Sequence, residues 1–73
     1  MASVHEHRRI LGEAIRKYRK KAGLSQEKLA EKADLSSVFI SQVERGEDTI
    51  SMDSLMRIVH ALNCRLRDLV REI

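Results

Sequence analysis

Leu24 to Gly46, LSQEKLAEKADLSSVFISQVERG, is the segment around which the chain is organised. It reads as two short helices joined by a tight turn. Ser25 is a good N-cap, because its oxygen can accept an orphan backbone N–H of the first turn, and Glu27 stands where the helix dipole favours negative charge. Leu29, Ala30 and Ala33 fall at i, i+1, i+4, one face of a helix. Asp34 marks where that helix stops. Ser36 is a second N-cap, Ile40 and Val43 behind it form a narrow inward stripe, and Gly46 offers the left-handed position that ends the second helix.

The other face of that second helix carries Ser37, Val38, Ser41, Gln42 and Arg45, at i, i+1, i+4, i+5, i+8. An ordinary solvated face would carry Lys and Glu. Short hydroxyls, a methyl-bearing side chain and an amide are instead groups able to read base edges: Gln pairs with adenine, Ser with several acceptors, and Val touches a thymine methyl. The face is therefore expected to belong to a recognition helix. A neutral surface for a protein partner is the competing reading.

On the N-terminal side, Leu11, Ile15, Tyr18 and Ala22 form one buried stripe on a preceding helix that starts near Glu6, with residues 1–6 frayed. Gly12 is tolerated inside it at a cost of about 1 kcal/mol relative to Ala. Gly23 closes this helix, with Leu24 folding back on it and Lys20 and Lys21 complementing the dipole. Beyond Gly46, a polar link of Glu47, Asp48 and Thr49 leads to Ile50, expected in the core. Ser51 caps a fourth helix whose apolar face is Leu55, Ile58, Val59 and Leu62, and Asn63 is placed to end it. A short fifth helix runs from about Leu66 to Ile73 on Leu66, Leu69, Val70 and Ile73. The expected architecture is all-α: five helices in a single domain over residues 1–73, with a helix-turn-helix core at 25–45.

Composition agrees with small interlocking helices: 42% of residues are apolar, but there is one Tyr, one Phe, no Trp and no Pro. A lone cysteine, Cys64, excludes an internal disulfide and fits a reducing cytoplasm. No apolar run approaches the ~20 residues that span a bilayer. The net charge of +3 is uneven, being +5 over residues 1–21 and −1 in each of 22–46 and 47–73. A basic first segment suits a polyanionic partner or a solvated helix face equally. Met52, Met56, Val70 and Ile73 exceed what one small core needs, which points to a homodimer contact through the last two helices, at Met56, Leu66, Val70 and Ile73, with ordinary scattered exposed hydrophobics as the competing reading.

His60 and Cys64 stand at i, i+4, with His5 and His7 as conceivable partners, but the spacing matches no zinc pattern and no metal is expected. No Ser/His/Asp or Cys/His arrangement, phosphate-binding loop or paired carboxylates are present. No catalytic residues, cofactor or small-molecule ligand are expected.

LSQEKLA, Leu35-Ser36, Ile40-Ser41, the Glu44-Arg45-Gly46 triplet, Ile50-Ser51, Leu55, Ile58 and Ala61-Leu62 together resemble the Cro and phage-repressor type of helix-turn-helix regulators, also called the xenobiotic-response-element family. The resemblance runs from about Leu11 onward. A free-standing chain of this size with an ERG…ISxxxL continuation is similar to the controller proteins of restriction–modification operons. The resemblance implies a homodimer on a two-fold related double-stranded DNA operator, with the third helix in the major groove. With almost no chain outside the DNA-binding domain, no ligand-sensing or protease domain is expected, and regulation would come through concentration and dimerisation. It places Ser37, Val38, Ser41 and Gln42 at the bases and Gln26 at the DNA backbone. Ser36, Lys28 and Arg45 are the further backbone candidates, with Arg16, Lys17 and Lys20 as additional positive charges. Arg19 and Glu44 match positions that form a buried ion pair in the family. Two positions depart from the pattern. Asp34 replaces the usual Gly of the turn, and Glu47-Asp48 occupy a loop that is often basic. The rival expectation is an interaction module of the antitoxin or bridging-factor kind.

Overall fold

The computed structural model describes residues 3–73, and the same two devices bound nearly every helix in it. The helices are α1 (Val4–Lys21), α2 (Gln26–Ala33), α3 (Ser37–Glu44), α4 (Met52–Leu62) and α5 (Leu66–Val70), with no strand among the described residues. Serines open the first four. The hydroxyl oxygens of Ser3, Ser25, Ser36 and Ser51 accept from the backbone N–H groups of Glu6, Lys28, Phe39 and Ser54 at 3.0–3.2 Å. Each satisfies one donor that the helix itself leaves without a partner.

The same four helices end alike. Gly23, Asp34, Gly46 and Asn63 all adopt positive φ, between 54° and 75°. The residue after each donates its N–H back across the last turn: Leu24 to the Arg19 carbonyl, Leu35 to Ala30, Glu47 to Gln42 and Cys64 to Val59. These are Schellman closures, in which a left-handed residue lets the chain turn sharply while consuming orphan carbonyls. Asp34 performs the role at φ 56°, ψ 48° without being glycine, as Asp tolerates this region better than most residues.

Two boundaries differ from the sequence expectation. Ser3 caps α1, so the helix starts at Val4 rather than near Glu6; any fraying of Met1 and Ala2 lies outside the described residues. At the other end α5 stops at Val70, and Arg71 and Glu72 form a turn. Its first turn is fixed by Asp68, whose carboxylate accepts from the Arg65 N–H at 3.0 Å.

Packing follows the apolar stripes. α2 lies against α3 and α4, and α1 against α3 and α5. Ile15, Leu29, Ile40, Ile58 and Leu69 are completely buried, one from each helix, so all five helices meet in a single core. Leu55, Val59, Leu62, Ala30, Ala33 and Val43 complete it, while Leu11, Tyr18, Leu35, Phe39 and Ile50 pack at its margin. Ala22 is the exception in the α1 stripe, exposed as the helix turns away. The end of α3 is pressed onto α1: a Cβ on Gly46 would stand 3.0 Å from the Arg9 Cα.

No helix is long and apolar enough to cross a membrane among the described residues.

Candidate nucleic-acid interface

The outer face of α3 is positioned from behind by charge as well as by its inward stripe. Glu44, at the end of α3, is buried, and so is Arg19 of α1. The Arg19 guanidinium donates to both carboxylate oxygens, Nε to Oε2 at 2.6 Å and Nη2 to Oε1 at 3.1 Å. Its third nitrogen donates to the Leu24 carbonyl at 2.8 Å. The Gln26 amide donates to Glu44 Oε1 at 3.0 Å. One guanidinium and one carboxylate thus tie α1, the α1–α2 turn, the start of α2 and the end of α3 together. No buried side-chain nitrogen or oxygen is left without a partner among the described residues. A fully satisfied network of this kind rigidifies what it joins, since each group it held would be costly to leave unpaired in a low-dielectric interior.

Gln26 is consequently oriented by Glu44. Only its Nε2 can face a carboxylate, which turns the amide so that one N–H is used and the other remains available. Ser36 is exposed, and its oxygen is committed to the cap while its own hydrogen is free to donate outward. Ser37, Ser41 and Gln42 are half-buried, and Val38 is 65% exposed.

Two adjoining shallow depressions share Gln26, Ser41 and Arg45. Glu27, Ser37 and Val38 complete one, and Arg16 with the Arg19–Glu44 pair completes the other. The structure therefore brings together Gln26, Ser37, Val38, Ser41 and Arg45, and adds Arg16 and the acidic Glu27 to them. Lys28 does not line this surface; its ammonium stands 3.8 Å from Glu31 in an exposed pair, a type of contact worth little.

Arg45, the residue just after α3, is not a free charge. It donates to the Ser41 hydroxyl oxygen one turn back, and grips both oxygens of Glu47 at 2.8 and 3.1 Å. The hydrogen bonds and charge of Arg45 hold the Glu47 carboxyl below its ordinary range, and Glu47 pushes the Arg45 guanidinium up. Ser41 accepts from Arg45 and keeps its own hydrogen to donate.

Of the residues expected at a dimer contact, Met56, Leu66 and Val70 are half-buried and Ile73 is 49% exposed. Met56 and Leu66 also pack against the protein's own core. Cys64 is half-buried, and burial followed by the Asp68 charge pushes its thiol up, away from a reactive thiolate. Among the described residues no three His, Cys, Asp or Glu side chains converge as metal ligands would.

The Ser3 cap was missed in the sequence, although the Ser-x-x-Glu spacing to Glu6 is the capping-box signature. The Arg45–Glu47 grip had no such signal, because i, i+2 spacing brings side chains together only where a helix has ended.

Two helices crossing through a tight left-handed turn, the second presenting a small, neutral hydrogen-bonding face, define a helix-turn-helix module. The chain belongs to the helix-turn-helix family, whose model matches residues 15–69. Its relatives are control proteins. It is 39% identical over 64 residues to the control protein C.BamHI of Bacillus amyloliquefaciens, covering 86% of this chain and 79% of that one. It is 43% identical over 54 residues to the control protein C.SmaI of Serratia marcescens, covering 74% and 64%. Among solved structures it is similar to the restriction-modification controller protein C.AhdI from Aeromonas hydrophila, with a TM-score of 0.83 at 32% identity over 85% of this chain and 94% of that one. The clp gene regulator ClgR from C. glutamicum superposes with a TM-score of 0.86 at 34% identity, covering 89% and 83%. The expected family, including its controller-protein branch, and the all-α fold are therefore both met.

Proposed function

We propose that this chain is a sequence-specific regulator of transcription that binds double-stranded DNA as a homodimer, with α3 in the major groove and α2 across the backbone. The observation that carries the reading is the outer face of α3. Its hydroxyls, valine methyls and amide are of the chemical kinds that meet base edges, and a buried ion pair fixes the helix that bears them. Ser37, Val38, Ser41 and Gln42 would read bases. Gln26 and Ser36 would meet phosphates at the N-termini of α2 and α3, where free backbone N–H groups and the helix dipole favour anions, and Arg45, just after α3, would add a positive charge.

The homodimer would use Met56, Leu66, Val70 and Ile73. A two-fold axis there would set two recognition helices about 34 Å apart, one turn of DNA, and so require an inverted repeat. The chain would act by binding, in the cytoplasm where its DNA lies, without a cofactor or small-molecule ligand.

The test is selection of bound sequences from a random duplex pool at moderate salt. Enrichment of an inverted repeat with half-sites about one helical turn apart supports both the reading and the dimer. A folded chain that enriches nothing would favour a protein partner on the same face. A salt titration separates the two, since phosphate contacts make affinity fall steeply with salt and an apolar protein interface barely responds.

A further inference from the structure

The four Schellman closures share a backbone geometry but differ in the residue after the left-handed position. After α1, α2 and α4 that residue is Leu24, Leu35 or Cys64, each packed against the core. Such an apolar contact ordinarily accompanies the motif. After α3 it is Glu47, an exposed carboxylate. The closure positions the Glu47 backbone, through its N–H to the Gln42 carbonyl at 2.9 Å, two residues beyond Arg45, which caps the helix. Both oxygens then engage Arg45.

We propose that Glu47 is a specificity-determining residue that occupies Arg45 as a phosphate would, and so withholds that charge from DNA of arbitrary sequence. The inference rests on the DNA-binding reading proposed for α3. A carboxylate with two oxygens meets the guanidinium fork in the same bidentate geometry as a phosphate. Arg45 therefore already has an anion when DNA arrives. Random duplex offers only its backbone in exchange, so little is gained by opening the grip. A matching site adds base contacts to Ser37, Val38, Ser41 and Gln42, which fix the helix in a register where a phosphate is aligned with Arg45, so the exchange of partners is favourable only there. Non-specific affinity is the term that phosphate contacts supply, and Glu47 subtracts one such contact from each protomer. The acid in the loop thus widens the gap between right and wrong sequences rather than simply weakening binding.

The experiment compares wild type, Glu47→Gln, Asp48→Asn, Arg45→Gln and Glu47→Gln/Arg45→Gln, each titrated with random duplex and with the duplex enriched by selection, over a range of salt. Asp48 is the neighbouring acid, whose carboxylate accepts from the Thr49 N–H and does not engage Arg45; it measures the effect of removing any one negative charge from this loop. Glu47→Gln should bind random duplex about 3- to 10-fold tighter than wild type, more than Asp48→Asn does, with a salt slope steeper by about one for each newly engaged phosphate. Its preference for the enriched duplex should fall. In the Arg45→Gln background the same substitution should do no more than Asp48→Asn.

Equal gains from Glu47→Gln and Asp48→Asn, or a gain that survives without Arg45, would overturn the proposal while leaving the DNA-binding reading intact. Failure of wild type to bind any duplex strikes at that reading instead. In that case salt-dependent binding regained by Glu47→Gln supports the withheld charge, and continued silence of that variant rejects both.

Discussion

Gly12 of α1 lies directly beneath the last carbonyls of α3: a Cβ there would stand 2.6 Å from the Glu44 oxygen and closer still to that of Val43. Gly12→Ala on an exposed helix would be stabilising by about 1 kcal/mol through propensity. Here the added methyl meets backbone, which cannot swing aside, and overpacking of this kind costs about 1–3 kcal/mol. The net effect should be a loss of stability. Urea unfolding would show a lower midpoint for Gly12→Ala; a higher one would mean that α1 and α3 are not in this contact.

Arg19→Leu or Glu44→Leu alone should cost about 3–5 kcal/mol, because each strands the other charge in a buried site. Replacing both should cost much less than the two single losses combined. Denaturant unfolding of the three variants distinguishes a coupled pair from two independent contributors, for which the costs would simply add.

Gln42→Ala should lose discrimination at one or two base pairs by about 1–3 kcal/mol while binding to random duplex stays nearly unchanged. Competition against single-base variants of the selected site measures it. A uniform loss on all DNA would place Gln42 at the backbone.

Asp68 accepts from the Arg65 N–H at 3.0 Å and from Arg71 at 3.2 Å. The Arg65 backbone bond foremost, with the Arg71 and Arg67 charges, outweighs burial and holds its carboxyl below the ordinary aspartate range. A carboxyl whose folded value lies below its unfolded one stabilises the fold above the unfolded value, about 3.9, and that contribution disappears as pH falls through the folded value. Acid should therefore loosen α5. Carbon-13 titration of the Asp68 carboxyl should give a midpoint below that of an unfolded peptide, and Asp68→Asn should flatten this part of the acid-unfolding curve. A midpoint at the peptide value would rule out the cap.

What was legible from the residues alone was whatever is decided within one turn of helix; the Arg19–Glu44 pair, 25 positions apart, was legible only through the family resemblance. Ser25, Ser36 and Ser51 announce starts, and Gly23, Asp34, Gly46 and Asn63 announce ends, because the chemistry of a cap lies in the capping residue itself. The inward stripes of α2, α3 and α4 were equally readable from their spacing. The Gln26–Glu44 bond was not, since it joins residues 18 positions apart only after three helices have packed. Gly12 is a similar case: periodicity assigns it a small cost, and only the crossing of α3 makes its missing side chain necessary. Ser3 escaped because the residues around it carry no apolar rhythm, although the cap itself needs none.

The outward positions of α3 are interleaved with those that anchor it. Ser36 caps, Ile40 and Val43 are buried, and Glu44 is bound from α1, while Ser37, Val38 and Gln42 take part in none of these side-chain roles. On the DNA-binding reading proposed above, stability and selectivity would thus be interleaved along one short helix. If Ser37, Val38 and Gln42 read bases, they would be able to change while the caps, buried stripe and ion pair stay in place, so descendants of this chain would acquire new target sites by point substitution. Two copies in one cell could diverge to ignore each other's DNA while keeping the same scaffold.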